Sequence, residues 1–286
     1  MNNNRETCKI CSSQNTSKHF EKNGYDIYRC FDCGVMFAAT SEFDHHDMDT
    51  ILNLYAKSYF QDDAKNTLGY RDYIQDKKEE KERIAAFELA AIEKRKPDKG
   101  RLLDIGCAAG FFLHVAQERG WHVAGIEPAE YAARYGRNRM GLDVKTGTLE
   151  TVDLPKNYYD VVTAWDVIEH VLDPLQFMEQ AHGLLRKEGL LVLGTPNSVS
   201  LAAQLKRRAW VHIRPPEHLF YFNPKSLGYL CRKHFDDYDI VQSRAYYSRI
   251  KPTLKNISKR LLFRVFNNFS YFIGLGEYVK VYARKS

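Results

Sequence analysis

The sequence lacks every sign of a membrane-spanning or secreted protein. No apolar run in its 286 residues approaches the roughly 20 residues that a helix needs to cross a bilayer. The first residues, Met-Asn-Asn-Asn-Arg-Glu, are polar and lack the apolar centre of a secretory signal. Cysteine is scarce, with 6 residues, and in a chain without a secretory signal it indicates metal ligands or free thiols rather than disulfides. These absences predict a soluble, cytoplasmic protein.

Acidic residues are sparse in the C-terminal third, although the whole chain carries a net charge of only +6. Residues 201–286 hold 17 lysines and arginines against 5 acidic residues, a local charge of +12, whereas the preceding 200 residues carry −6. A basic segment of this kind favours an anionic partner such as a phosphate, a nucleic acid or a membrane surface. The alternative is that these side chains only solvate exposed helices.

Four of the cysteines form two Cys-x-x-Cys pairs. Cys8 and Cys11 are followed, after 18 residues, by Cys30 and Cys33. Two such pairs at this spacing are typical of a tetrahedral zinc site, in which each turn presents two thiolates to one ion. Because four thiolates close the coordination sphere, the zinc would be structural. We therefore predict a zinc ribbon over residues 1–42, with a disulfide pair as the disfavoured alternative.

Beyond the cysteines, short apolar strands alternate with helical patterns. A bridging segment, residues 43–98, contains an aromatic cluster at 51–68 and a long charged helix at 71–96. Strands are predicted at 101–105, 122–127, 142–146, 159–165, 188–194, 237–246 and 277–284, and helices at 110–119, 129–139, 174–186 and 224–234. Such alternation predicts an α/β domain over residues 99–286, with a doubly wound, mostly parallel sheet covered by helices on both faces.

The most informative stretch is the turn after the first strand of this domain. The apolar run ends in Asp104, turns at Gly106 and passes Gly110 into a helix, whose N-terminus presents free N–H groups to a ligand. Glu127 closes the next strand, at a position where an acid accepts both hydroxyls of a ribose. Residue 108 is alanine, so the Gly-x-Gly-x-x-Gly fingerprint of dinucleotide sites is absent. The pattern therefore argues against a dinucleotide.

Residues 104–110 resemble the Asp-x-Gly-Cys-x-x-Gly loop of class I S-adenosylmethionine-dependent methyltransferases. Residues 159–171 are similar to the fourth strand and the Glu-His-Val loop of that family, and residues 184–193 to its fifth strand. The resemblance covers residues 70–245 and the final strand. It implies a Rossmann-like fold with a seven-stranded sheet and S-adenosylmethionine (SAM) as the methyl donor. The aromatic cluster at 51–68 resembles a segment that crosses the donor site in this family, with ordinary packing as the alternative.

The resemblance also implies which residues contact the donor. Backbone atoms of the glycine loop would hold the methionine part, Glu127 the ribose diol, and the turn after the third strand the adenine. Cys107 is expected to be a small packing residue of the loop rather than a nucleophile. Because the carboxyl ends of parallel strands meet at one edge of a sheet, these side chains should share one crevice. The implied donor-binding residues are Asp104, Gly106, Cys107, Gly110, Phe111, Glu127, Pro128, Thr148, Leu149, Asp166 and Val167.

Two histidines are candidates for the general base that takes a proton from an oxygen acceptor. His170 directly follows Glu169 after the fourth strand, and His218 lies in a segment that resembles the substrate-facing His-x-x-x-Phe segment of the family. Glu169 would orient a histidine or join His170 on a divalent metal, but the sequence shows no further ligand at a persuasive spacing. For each histidine, a purely structural hydrogen bond is the alternative.

The zinc ribbon resembles a branch of the family found in surface-polysaccharide and deoxysugar pathways. That branch implies O-methylation of a sugar hydroxyl in a surface glycan, a glycolipid or their precursor. The alternatives are a small-molecule O-methyltransferase for quinones or secondary metabolites, an RNA methyltransferase, and a donor-binding scaffold without activity. Residues 166–169 do not match the Asn/Asp-Pro-Pro-aromatic motif of base methylation, so a nucleic-acid partner is not expected.

Two segments, residues 195–223 and 245–275, exceed the minimal fold and are expected on the substrate side. The second is basic, aromatic-rich and amphipathic, which is typical of a helix that lies at an anionic membrane surface. Such contact would place the protein peripherally at the inner face of the membrane, near a lipid-linked acceptor. A helix packed on the sheet or on a dimer mate is the alternative, so a homodimer stays open.

Overall fold

The computed structural model describes residues 6–39, 78–244 and 257–286. In the N-terminal module, β1 (Thr16–Lys22), β2 (Tyr25–Cys30) and β3 (Met36–Ala38) form an antiparallel sheet. A short strand from the far end of the chain, β9 (Phe220–Tyr221), pairs with β3 and gives the order β1-β2-β3-β9. The segment 195–223 therefore supplies the fourth strand of the ribbon sheet, which the sequence did not indicate.

The larger sheet has seven strands, close to the positions predicted from the sequence. They are β4 (Arg101–Ile105), β5 (His122–Glu127), β6 (Val144–Thr146), β7 (Tyr159–Trp165), β8 (Leu185–Pro196), β10 (Asp237–Ser243) and β11 (Tyr278–Arg284). Their order is β10-β11-β8-β7-β4-β5-β6, and within this sheet β11 runs antiparallel to both of its neighbours. The prediction of a doubly wound, mostly parallel sheet is confirmed.

Helices cover both faces of this sheet. As a result β7 is buried along six consecutive residues, which point alternately to the two faces. Among the described residues the helices are α1 (Lys78–Arg95), α2 (Phe111–Glu118), α3 (Glu130–Met140), α4 (Pro174–Leu184), α5 (Leu201–Lys206), α6 (Pro224–Cys231) and α7 (Ile257–Phe272). None of these helices combines the length and the apolar character that crossing a membrane requires. The predicted aromatic cluster at 51–68 lies outside the described residues.

One hydrophobic cluster joins the ribbon to the larger sheet. Ile10 and Phe37 from the ribbon belong to the same buried cluster as Phe222 and Leu193. The connection is also polar, since the Asn223 side chain donates a hydrogen bond of 2.6 Å to the backbone oxygen of Gly34. The N-terminal module and residues 195–223 are therefore packed as one unit. The domain boundaries at residues 42 and 98 stay predictions.

Candidate active site

The loop after β4 turns back sharply at two glycines. Gly106 and Gly110 have φ of +69° and +84°, in the left-handed region that favours glycine. A Cβ on Gly106 would also lie 2.7 Å from Cγ2 of Val167, and one on Gly110 would collide with Leu142. Both positions therefore need glycine for their backbone angles and for space. The result is a tight loop that leads directly into the N-terminus of α2.

Glu127, at the end of β5, holds this loop in place. Its two carboxylate oxygens accept backbone hydrogen bonds of 2.9 Å, one from Ala108 N–H and one from Ala129 N–H. The side chain is only 4% exposed, and burial raises the pKa of its carboxyl group to about 7. Each oxygen keeps a further lone pair, so the carboxylate can still accept two hydroxyl hydrogen bonds. This geometry suits the ribose diol predicted for this residue.

Asp104, at the end of β4, lies in the same crevice. The Thr163 hydroxyl donates a 2.7 Å hydrogen bond to its Oδ1, and the side chain is 2% exposed. Burial, with the nearby charge of Glu127 adding to it, raises the pKa of the Asp104 carboxyl to about 7. Two carboxyl groups in one buried space make the crevice receptive to cationic groups and to hydrogen-bond donors.

The turn after β6 lies at the same edge of the sheet. Gly147 N–H donates a 3.0 Å hydrogen bond to the backbone oxygen of Glu127, and Thr148 N–H donates one of 2.8 Å to Oγ1 of Thr151. Thr148 and Leu149 are half-buried, as is Pro128 in the loop that follows β5. The structure thus brings the predicted adenine-side residues next to the predicted ribose-side residues.

Asp166 and Val167 follow β7 and complete the crevice from the other side. Asp166 has a φ of +54°, which is unusual for a residue with a side chain, and Val167 lies against the glycine loop. The Tyr278 hydroxyl, at the start of β11, donates a hydrogen bond to Oδ1 of Asp166. The sequence analysis did not single out Tyr278, because 112 residues separate it from its partner.

Cys107 and Phe111 point into the protein. Cys107 is buried, its sulfur lies 2.6 Å from where a Cβ on Gly125 would be, and burial raises the pKa of its thiol well above the usual value. Such a thiol stays protonated, which agrees with a packing role. Phe111 is buried in a cluster with Ala109, and its ring lies 6.4 Å from that of Tyr135. The donor contacts predicted for both residues would therefore come from their backbone atoms.

Glu169 lies in the loop after β7 and is 1% exposed. Its Oε2 accepts a 2.9 Å hydrogen bond from the Thr195 hydroxyl, while its Oε1 is buried and has no hydrogen-bond partner among the described residues. Its backbone oxygen accepts hydrogen bonds from Leu219 N–H and Phe220 N–H, at 2.8 and 3.1 Å. These backbone bonds attach the Glu169 loop to the segment that carries His218.

His170 and His218 lie side by side, although 47 residues separate them in the sequence. Their ring centroids are 4.6 Å apart, with an interplanar angle of 84°. His170 Nδ1–H donates a 2.6 Å hydrogen bond to the backbone oxygen of Glu217, so Nε2 is the ring nitrogen that carries the lone pair. Burial lowers the pKa of His170 to about 4 and that of His218 well below its usual value. Both imidazoles are therefore uncharged at neutral pH.

A further histidine, His212, lies beside His218, and Trp210 and Glu277 lie beside His212. The His212 ring lies 6.1 Å from that of His218 and 6.3 Å from that of Tyr278. The Trp210 indole N–H donates a 2.8 Å hydrogen bond to Oε1 of Glu277. The sequence analysis placed these residues in an insertion or in the last strand without a role. No local spacing could have indicated them, because they meet only in the folded chain.

The four cysteines of the Cys-x-x-Cys pairs form one compact cluster. The sulfurs of Cys8 and Cys33 are 3.6 Å apart, those of Cys11 and Cys30 3.5 Å, and all four lie within 4.8 Å of one another. A disulfide would need about 2.05 Å, whereas tetrahedral thiolates at about 2.3 Å from zinc are roughly 3.8 Å apart. The cluster therefore fits a zinc ion better than two disulfides.

Comparison with known proteins places the chain in a family. Residues 76–242, more than half of the chain, match the model of the methyltransferase domain family. A ubiquinone biosynthesis O-methyltransferase of Bradyrhizobium diazoefficiens is 33% identical over 102 residues, which cover 34% of this chain and 40% of that protein. The chain thus spans less than half the length of the curated relatives that it matches.

Solved structures share the fold. A SAM-dependent methyltransferase from Archaeoglobus fulgidus is 22% identical, with a TM-score of 0.52 over 72% of this chain and 94% of that chain. Another from Thermotoga maritima is 21% identical, with a TM-score of 0.50 over 73% and 99%. The family match over residues 76–242, together with this shared fold, shows that the chain belongs to the methyltransferase domain family and carries a class I SAM-dependent methyltransferase domain.

Proposed function

We propose that the protein is a SAM-dependent O-methyltransferase whose acceptor is a hydroxyl of a small molecule of the quinone type. One observation carries the proposal: two uncharged imidazoles, His170 and His218, lie together beside Glu169 at the edge of the donor crevice. An oxygen acceptor must lose a proton on methylation, and neutral imidazoles assist that loss. The acceptor class is supported by the ubiquinone biosynthesis O-methyltransferases among the relatives.

Each part of the site has a task in this function. Bound SAM supplies a methyl group on a sulfonium, which is already activated for transfer. Glu127 and the loop at Gly106 hold the donor, and the Tyr278 hydroxyl holds Asp166 beside it. His170 and His218 lie on the acceptor side, where the hydroxyl releases its proton to solvent as the new carbon–oxygen bond forms. The carbon–sulfur bond breaks and leaves its electron pair on sulfur. Much of the rate comes from this alignment of donor and acceptor.

The acceptor differs from the one that the sequence indicates first. The sugar hydroxyl rests on the resemblance of the zinc ribbon to a sugar-pathway branch, whereas the relatives from Bradyrhizobium act in ubiquinone biosynthesis and give that branch no support. We propose zinc in the four-cysteine cluster as a structural ion, because four thiolates leave no open position for a substrate. The ribbon shares its core with residues 195–223, so the ion would stabilise the segment that carries His218.

Two surface contacts stay predictions. Helix α7 exposes several large apolar side chains, namely Leu261, Leu262, Val265, Phe269 and Phe272. These suit contact with an anionic membrane or with a second copy of the chain, as predicted from residues 245–275. Either contact would bring the protein close to an apolar, membrane-resident acceptor.

A panel of acceptors tests the proposal. The purified protein is incubated with methyl-labelled SAM and a demethylated quinone precursor, a free sugar or glycan, or RNA. We expect label in the quinone precursor alone, and transfer that falls about 100-fold or more in H170Q and H218Q. H122Q is the matched control, because His122 is exposed at the far end of β5. Label in glycan would return the acceptor to the sugar hydroxyl, and label in RNA would contradict the proposal.

A further inference from the structure

We propose that Glu169, His170 and His218 bind a divalent transition-metal ion, which contacts the acceptor oxygen during methyl transfer. This inference rests on the proposed O-methyltransferase function and states how its site assists the hydroxyl. One ligand atom from each of the three residues lies within 4.8 Å of the other two. Ligands on a metal at about 2.1 Å are roughly 3.4 Å apart, so small side-chain rotations would close the site.

His218 is the third ligand, which the sequence alone did not identify. Glu169 and His170 are adjacent in the chain, but the sequence shows no further ligand at a persuasive spacing. The backbone bonds from Leu219 and Phe220 to Glu169 bring His218 to the other two residues. The site therefore exists only because the segment between β8 and α6 folds back over the loop after β7.

Each of the three residues is oriented by a second hydrogen bond. His170 Nδ1–H donates to the backbone oxygen of Glu217, and a ring nitrogen of His218 donates to the backbone oxygen of His212. The Thr195 hydroxyl donates to Oε2 of Glu169. Metal-binding histidines usually donate their second ring N–H to a carbonyl or a carboxylate, and metal-binding carboxylates are themselves hydrogen-bonded. The pattern matches this arrangement for all three residues.

The orphaned oxygen of Glu169 points to a ligand. Oε1 is buried and has no hydrogen-bond partner in the part of the chain that the structure describes, a state that costs free energy unless something else contacts it. The positive charge closest in sequence to His218, that of Arg214, is balanced by Glu217 in an ion pair of 2.8 Å. A cation between Glu169 and the two imidazoles would give Oε1 the partner that it lacks.

The donor set selects the class of ion. Two imidazoles and one carboxylate suit Zn²⁺, Mn²⁺ or Fe²⁺ better than Mg²⁺, which prefers oxygen ligands. Three protein ligands leave a position open, in contrast to the four-cysteine cluster. A hydroxyl in contact with the ion has a lowered pKa and releases its proton to solvent. Its oxygen then bonds to the methyl carbon as the carbon–sulfur bond breaks and leaves its electron pair on sulfur. The two neutral imidazoles thus assist the loss of the proton by binding the ion, and the proton itself goes to solvent.

Manganese is a suitable probe, because soft thiolates bind it poorly and the four-cysteine cluster therefore does not contribute to the titration. Mn²⁺ is titrated into the full-length, zinc-containing protein and followed by loss of the electron paramagnetic resonance signal of free Mn²⁺. We expect one Mn²⁺ per chain, displaced by Zn²⁺ added in excess of the cluster. E169Q, H170Q and H218Q should each weaken binding at least tenfold. T195V should weaken it about tenfold, because Thr195 positions Glu169. H122Q should bind as the wild type.

Folding and function are measured on the same samples. Zinc content and the thermal midpoint identify any variant that has failed to fold. If a ligand variant fails to fold, the metal site is tested with T195V, which leaves all three ligands in place. Absence of a second metal equivalent, or Mn²⁺ binding that is unchanged in all four variants, would overturn the metal site. If the wild type then still methylates a hydroxyl after treatment with a chelator, the proposed function stands without the metal. Metal binding without transfer to oxygen would contradict the proposed function alone.

Discussion

Replacing Glu127 by glutamine separates its two tasks. Both carboxylate oxygens accept a backbone N–H, from Ala108 and from Ala129, so an amide NH₂ must face one of these donors. An unsatisfied buried donor costs about 1–3 kcal/mol of folding stability. This cost falls on the free and on the donor-bound protein alike. It is therefore expected in the thermal midpoint and not in the donor affinity.

The donor affinity reports the second task. Glutamine loses one of the two charged acceptors for the ribose hydroxyls, and a hydrogen bond to a charged group contributes about 1.5–3 kcal/mol. At about 1.4 kcal/mol per factor of ten, the Kd for the donor should rise by about 10- to 100-fold. Glu127→Ala, which removes both acceptors, should weaken binding by an order of magnitude or more.

Calorimetric titration with S-adenosylhomocysteine at pH 8, where the carboxylate is ionised, measures this affinity. Glu130→Gln is the matched control, since Glu130 is exposed at the start of α3 and pairs with Arg137 at 2.9 Å. We expect its Kd to match that of the wild type. An unchanged Kd in Glu127→Gln would refute the ribose assignment, even if the thermal midpoint falls.

Three further predictions follow from the same geometry. Because Asp104 and Glu127 have pKa values raised to about 7, the donor-free protein binds more protons than the unfolded chain between about pH 4 and 7. These groups should therefore raise its thermal midpoint as the pH falls from 8 to 5, while the donor affinity measured by calorimetry should decrease. Asp104→Asn should weaken both trends. Tyr278→Phe removes the hydrogen bond to Asp166 and should lower the methyl-transfer rate about tenfold at an unchanged thermal midpoint, whereas an unchanged rate would remove Tyr278 from the site. Cys30→Ser should lose one zinc per chain by elemental analysis and lower the thermal midpoint, while Cys231→Ser, outside the cluster, should keep the zinc.

The fold could be read from local patterns. The sequence predicted all seven strands of the large sheet. The signal is clearest for β4, β7 and β8, because parallel strands buried on both faces are apolar along much of their length. The positive φ values at Gly106 and Gly110 agree with the tight turn predicted there. The Cys-x-x-Cys spacing predicted a four-cysteine cluster, since each turn places two sulfurs together whatever surrounds it.

Local sequence patterns did not predict the acceptor side of the site. The pairing of β9 with β3 and the bond from Tyr278 to Asp166 join residues far apart in the chain. His218 is brought to His170 by backbone bonds between two loops and by the bond from His170 to Glu217. Such contacts leave no periodic trace in the sequence. The candidate residues were therefore identifiable singly, but their assembly into one site was not.

The central claim is methyl transfer from SAM to a hydroxyl oxygen. The direct measurement uses SAM labelled with ¹³C on its methyl group and records the NMR spectrum of the purified product of a demethylated quinone precursor. The account predicts a labelled carbon bonded to oxygen, in wild type and in H122Q, and almost none in H170Q or H218Q. A labelled carbon bonded to nitrogen or to carbon, or full transfer in both histidine variants, would contradict it.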